Sequence, residues 1–318
     1  MTQKIIGIDL GGTSVKFAIL TKDGEVQDKW SIATNILDEG SHIVPDIIAS
    51  LKDRLNDLGL TKDDILGIGM GSPGAINRDK GTVVGAYNLN WKTVQPVKDQ
   101  IESALGTPFF IDNDANVAAL GEKWKGAGEN DPDVVFVTLG TGVGGGVVAG
   151  GNLIHGAGGA GGEIGHMVVD FDAPIMCTCG KLGCLETVTS ATGIVNLGRR
   201  YAQTYAGDSE LKRLIDSGED VTAKVIFDLA KKGDVLGKIV YENFSRYLGT
   251  ACANIACLLN PSAIVIGGGV SAAGDFLLDG LDGVFKANVF PQIIGSTKIK
   301  LAQLGNDAGI IGAASLVL

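Results

Sequence analysis

The stretch IIGIDLGGTSVKFAIL, residues 5–20, runs from an apolar segment through a polar glycine turn into a second apolar segment, and a turn-forming KDGE follows at 22–25. Two strands joined this tightly make a hairpin. A dinucleotide fingerprint would need a helix behind the glycines, and here a strand follows. In a hairpin, Gly11, Gly12 and Thr13 can turn backbone N–H groups toward phosphate oxygens, with Lys16 on the returning strand. Asp9, ending the first strand, is placed to hold Mg2+ through water. An ordinary hairpin with a solvated Asp also explains this stretch taken alone. Residues 134–151, VVFVTLGTGVGGGVVAGG, repeat the pattern: Thr138 falls where Asp9 does, Gly140 where Gly11 does and Gly142 where Thr13 does, with Thr141 at the tip. The duplication predicts two related α/β lobes facing each other across a cleft, each presenting a hairpin to one phosphate chain. Coincidence in a glycine-rich chain is the alternative.

Composition agrees with two lobes. The 318 residues exceed what one core usually serves, and 45% are hydrophobic. The 48 glycines recur in compact clusters, which means tight turns and close ligand approach. A net charge of -10 disfavours a nucleic-acid groove, so an anionic substrate needs a local cradle of amides and metal. MTQK passes directly into the first strand with no leader pattern, and no apolar run reaches membrane length without glycine or charge. The expectation is a cytoplasmic protein with reduced thiols, no membrane association and no nucleic-acid partner.

Residues 162–186, GEIGHMVVDFDAPIMCTCGKLGCLE, concentrate Cys177, Cys179 and Cys184 in one loop just after His166, one of three histidines. One imidazole and three thiolates form a closed tetrahedral set for structural zinc, and Gly180 and Gly183 allow the chain to bend them together. Unrelated thiols are the plainer alternative. Glu163 and Glu186 bracket the loop. Cys252 and Cys257, on an apolar run at helical spacing (238–259), read as core thiols.

TPFFIDNDANVAALGEKWKG, residues 107–126, places an apolar strand ending at Ile111 before a helix from Ala115. Asp112, Asn113 and Asp114 then fall at a strand-to-helix junction, exposed and beside a helix N-terminus that favours carboxylate. Simple capping is the alternative. Further candidates are the Gly/Pro loop with Gly74 and Ala75, Asn88 in a loop, and Gly267, Gly268 and Gly269 between a strand (from 261) and a helix (to 281). Residues 42–58 read as a helix stopped by Gly59, and 306–318 as a small-residue helix.

GEIGHM followed by CTCGKLGCLE resembles the zinc motif of the ROK family of sugar kinases, epimerase-kinases and sugar-responsive repressors, and NDAN at 113–116 matches a second family motif. The resemblance runs the length of the chain. It implies an α/β, two-lobed actin-like (ribonuclease H-like) fold with the ligand cleft between lobes. The small lobe would be 1–115 plus about 304–318, and the large lobe 116–303. It also implies zinc on His166, Cys177, Cys179 and Cys184. Sugar would be bound by Gly74, Ala75, Asn88, Asn113, Asp114, Glu163, His166 and Glu186, with Asp114 as catalytic base. Gly267 to Gly269 would face adenosine. SATGIVNLGRRYA is similar to the glucokinase branch, so ATP-dependent phosphorylation of glucose at O6 with Mg2+ is expected, from a homodimer or homotetramer. A kinase for N-acetylmannosamine, N-acetylglucosamine or fructose is the near alternative, and a repressor core the remote one.

Overall fold

The structure, a computed structural model, describes residues 3–172 and 174–318. It divides into two compact units, 1–131 with 153–161 and 303–318, and 132–152 with 162–302.

The first unit opens with β1 (Lys4–Leu10), β2 (Ser14–Thr21) and β3 (Val26–Ala33). Next come the short α1 (Leu37–Gly40) and then α2 (Ile43–Asp57), which buries Ile43, Ile47 and Leu51 at helical spacing. Gly59, with φ 63, follows its end. The unit continues through β4 (Ile65–Ser72), the small β5–β6 hairpin (Ala75–Asn77, Thr82–Val84), α3 (Val97–Leu105), β7 (Phe109–Asn113) and α4 (Asp114–Lys125). The sheet order is β3-β2-β1-β4-β7. β1 pairs antiparallel with β2 and parallel with β4, and β4 pairs parallel with β7. Ile6, Ile8, Phe17, Met70, Phe109 and Ile111 join α2 and α3 residues in one core.

The second unit repeats the hairpin as β8 (Val134–Leu139) and β9 (Val143–Ala149), with β10 (Asn152–Leu153) on the edge. Helices α5 (Glu186–Thr189), α6 (Ala191–Ala202), α7 (Glu210–Asp216), α8 (Ala223–Lys232) and α9 (Val235–Leu259) precede β11 (Ala263–Gly267), α10 (Asp275–Asn288) and β12 (Lys298–Leu301). Its sheet order is β10-β9-β8-β11-β12. β8 and β9 pair antiparallel, and β11 lies parallel to both β8 and β12.

The last helix, α11 (Ala308–Ser315), belongs to the first unit. Its backbone lies directly on that unit. A Cβ on Gly7 or Gly69 would overlap the carbonyls of Ile310 or Ala313, and one on Gly312 would overlap the Val117 carbonyl of α4. These glycines are kept for space, since their φ angles are ordinary. Glu122, fully buried on α4, fastens the incoming strand of chain. Its carboxylate accepts the backbone N–H groups of Gln303 (3.0 Å), Leu304 (2.7 Å) and Ala127 (2.9 Å). This packing carries α4 into the first unit, so the division falls after Asp131 and not at residue 115.

Candidate active site and metal centre

In the first unit, β1, β4 and β7 end at one edge of the sheet, where α/β proteins bind ligands. The register sets Asp9 beside Gly71, Gly71 beside Asp112 and Ser72 beside Asn113. The hairpin tip is closed by the Gly11 N–H donating to the Ser14 carbonyl (3.0 Å). Thr34, which the sequence reading did not single out, clamps that tip from the side. Its N–H donates to the Thr13 carbonyl (3.0 Å) and its hydroxyl to the Gly11 carbonyl (2.6 Å). Asn88 stands against the same tip, since a Cβ on Gly12 would come 3.2 Å from its carbonyl oxygen. Gly74 needs its φ of 97 and its missing side chain, because Val84 and Ala86 crowd it, and the next residue, Ala75, is exposed. Asp9 lies 3.7 Å from Lys16 Nζ. Burial raises the Asp9 carboxyl above its ordinary range, Lys16 opposes this, and the charge of Asp114 adds to it. Asp9 and Asp114 therefore share one electrostatic neighbourhood.

The junction is sharper than the apolar pattern implied. β7 runs through Asn113 and α4 starts at Asp114 with no loop between them. Asn113 caps the helix, its Oδ1 accepting the Ala115 N–H at 2.9 Å. Asp114 is exposed, yet desolvation by the protein around it raises its carboxyl, against the lowering hydrogen bond from Ala115. Here the exposed trio expected from sequence needs correcting. Asp112 is still part of the sheet and only 2% exposed. It accepts from Asn113 N–H (2.8 Å), Asn116 Nδ2 (2.8 Å) and, unforeseen, His155 Nε2 (2.7 Å).

In the second unit the hairpin tip folds by a Gly140 N–H to Gly142 carbonyl bond (2.9 Å). The Ala191 N–H at the start of α6 donates to the Gly140 carbonyl (2.8 Å). Thr141 is exposed at the tip. Gly142 leaves room for Glu186, whose Oε2 accepts the Val143 N–H (3.0 Å) while Oε1 accepts the Thr178 hydroxyl (3.2 Å). Glu186 thus joins the hairpin to the cysteine loop. Thr138 pairs with Gly267 across β8 and β11. Gly268, φ 83, sits against the Leu139 backbone where only glycine fits. The expected helix does not follow at once: a 3-10 turn at Gly269–Ala273 intervenes, and Gly274 at φ 66 starts α10 afresh. Gly269 opens onto a cavity of about 290 Å³ lined also by Ala191, Thr222, Phe227, Lys231 and Ala272.

His166, Cys177, Cys179 and Cys184 converge, with their donor atoms within 4.8 Å of one another. Cys179 Sγ lies 3.7 Å from Cys184 Sγ, and Cys177 Sγ 3.5 Å from His166 Nδ1. Tetrahedral zinc with Zn–S bonds of about 2.3 Å separates its sulfurs by about 3.8 Å, so this donor set fits the ion. Gly180 (φ 86) and Gly183 (φ 75) make the bends. Desolvation pushes the buried Cys184 thiol up to about 12, while the Lys181 N–H pulls the exposed Cys179 thiol down. Nδ1 of His166 faces the thiols, which leaves Nε2 facing Glu163, 3.9 Å from its Oε2. Cys252 is buried as expected, but Cys257 is exposed, because five helical residues turn it away from the core.

A glycine hairpin in each α/β unit, an acid closing the first strand and a Cys3His loop in the second unit define a two-lobed protein of the actin-like fold class. Within that class the chain belongs to the ROK family, whose profile matches residues 5–318. A glucokinase of Halalkalibacterium halodurans is 46% identical, covering 98% of this chain and 94% of its own. One from Thermotoga maritima is 37% identical over 99% and 97%. The crystal structure of a ROK family glucokinase from Streptomyces griseus in complex with glucose and AMPPNP has TM-score 0.71 at 33% identity, covering 98% of both chains. Among the described residues, no helix is long and apolar enough to cross a membrane.

Proposed function

We propose that this protein is a glucokinase, transferring the γ-phosphoryl group of MgATP to O6 of glucose to give glucose 6-phosphate. The observation that carries the reading is the Asn113–Asp114 junction. It presents an exposed carboxylate of raised basicity at a helix N-terminus, in a chain 46% identical to a named glucokinase. Phosphoryl transfer asks mainly for positioning and charge neutralisation. Asp114 accepts the O6 proton, and Asn113, Asn88, Gly74 and Ala75 engage hydroxyls from the first unit. Glu163, His166 Nε2 and Glu186 are the further candidates for hydroxyl contacts. Gly11 to Thr13 with Lys16, and Thr138 with Gly140 to Gly142, serve the phosphates. Asp9 is the residue that would hold Mg2+, which would supply positive charge to the phosphates. The cavity beside Gly269 takes adenine, with Gly267 and Gly268 allowing backbone approach; Phe227 and Lys231 extend the adenosine contacts that sequence left open.

Zinc held by His166, Cys177, Cys179 and Cys184 would be structural, since four protein ligands would leave no position for an activated water. Those residues set the His166 ring through Nδ1 and, through Thr178 and Glu186, brace the second hairpin. The reading places the protein in the cytoplasm as a homodimer or homotetramer feeding glycolysis. Incubating it with glucose and [γ-18O]ATP tests the chemistry. Mass spectrometry and phosphorus NMR should identify glucose 6-phosphate with the label in its phosphate, and a product phosphorylated elsewhere, or none, would refute it.

A further inference from the structure

Between Asn152 and Gly162 the chain contributes Leu153–Gly161, LIHGAGGAG, to the first unit. The segment is mostly exposed, and Gly156 and Gly159 take φ angles of 70 and 81. Leucine, isoleucine, alanine and glycine have no side-chain hydrogen-bonding group, so His155 is its one polar side chain. His155 places Nε2 at 2.7 Å from Oδ2 of Asp112. The imidazole is about one-fifth exposed (21%). The other oxygen of Asp112 accepts both the Asn113 N–H and Asn116 Nδ2. One buried carboxylate therefore joins His155 to two residues of the NDAN turn, and Asn113 in turn caps the helix whose first residue is Asp114. A buried carboxylate is costly unless its oxygens find donors, and His155 supplies the donor for Oδ2.

We propose that His155 is a positioning residue for the sugar end of the reaction. Acting through Asp112, it holds Asn113 and the first turn of α4 in the orientation from which Asp114 meets the substrate hydroxyl. The proposal rests on the reading of Asp114 as the base. Without His155, Oδ2 of Asp112 is left buried and unpaired. The carboxyl then rotates, and Asn113 and Asn116 lose the acceptor that aligns them. Among the described residues, no hydrogen bond links Gly11, Gly12, Thr13 or Lys16 to Asp112, His155 or Asn116, so the defect falls on the sugar side.

The chemistry of the side chain supplies its own control. The amide nitrogen of glutamine reaches the position of His Nε2, whereas that of asparagine stops at the position of Nδ1. His155→Ala and His155→Asn should lower kcat/KM for glucose by about tenfold or more, the scale of a lost hydrogen bond to a charged group, with KM for MgATP within about twofold of wild type. His155→Gln should recover most of the loss. Amide hydrogen exchange in peptides spanning 109–118 should speed up in the Ala and Asn variants and return toward wild type in the Gln variant. This second readout needs no turnover. If the wild type phosphorylates no hexose, the base assignment fails while exchange still decides the His155 link. Unchanged exchange and unchanged kcat/KM in His155→Ala would overturn the proposal. So would a loss that His155→Gln shares fully, or one that raises both KM values alike, because each describes general destabilisation. Should His155→Ala not fold, the Gln and Asn pair makes the same comparison.

Discussion

On the proposed role of Asp114 as the base, Asp114→Asn should separate chemistry from binding and folding. The substituted amide keeps its shape, and its oxygen can still accept the Ala115 N–H that Asp114 holds at 2.8 Å. Asn113 accepts the same N–H, so the helix keeps its cap. What disappears is the proton acceptor, and turnover should fall about 10^2- to 10^4-fold, or about 3 to 5 kcal/mol of barrier. Glucose binding measured by calorimetry should change little. The raised carboxyl adds a sign test. An acid whose folded pKa lies above its unfolded value of 3.8 favours folding most while protonated, and that contribution is lost as pH rises through the folded value. Asn is neutral throughout, so Tm of the variant at pH 7 should equal or exceed that of wild type. In the wild type, kcat/KM should decline on the acid side at a pH above the ordinary carboxylate range, since the base must be ionised. A variant within tenfold of wild-type kcat, or one that loses glucose binding and stability together, would show that Asp114 is not the base.

Purified protein should carry about one zinc per chain, and Cys179→Ser should release it with activity lost alongside; full activity in demonstrably metal-free protein would contradict this. Stripping the metal should also speed amide exchange at 139–145, because Glu186 links the cysteine loop to the Val143 N–H. Glu122→Ala takes a buried carboxylate acceptor from three backbone N–H groups at once, and urea denaturation should register a loss of about 3 kcal/mol or more; a loss below 1 kcal/mol would mean those bonds are replaced. Filling the cavity beside Gly269 by Ala272→Trp should raise KM for MgATP at least tenfold and leave glucose binding intact.

Both glycine hairpins were legible because strand period, glycine turn and strand period occur within about 16 residues, a local signal. The Cys3His set was legible for the same reason: its three thiols lie in one short loop, and imidazole plus thiolate is a rare combination without a metal. Thr34, His155 and Glu122 were not singled out from the sequence. Each acts on a partner 23 or more residues away, Thr34 on Gly11, His155 on Asp112 and Glu122 on Gln303. Nothing in the pattern around Thr34 marks it, whereas His155, a rare imidazole among glycines, carried a signal. Asp112 misled because the apolar run stops at Ile111 while the sheet continues through Asn113. The cavity beside Gly269 draws on α6, α8 and the turn after β11, which no local periodicity brings together.

The central claim is that glucose is the sugar this site is built to phosphorylate. Polar sites that pair each substrate hydroxyl reject analogues by leaving their own buried groups unsatisfied, a penalty that can reach several powers of ten. The measurement is kcat/KM for glucose, mannose, fructose, N-acetylglucosamine and N-acetylmannosamine at fixed, saturating MgATP, followed by ADP release. Glucose should lead each of the others by at least tenfold. A tenfold lead for fructose or an N-acetylated sugar would contradict the glucokinase assignment, and no ADP release with any hexose would contradict the kinase reading itself.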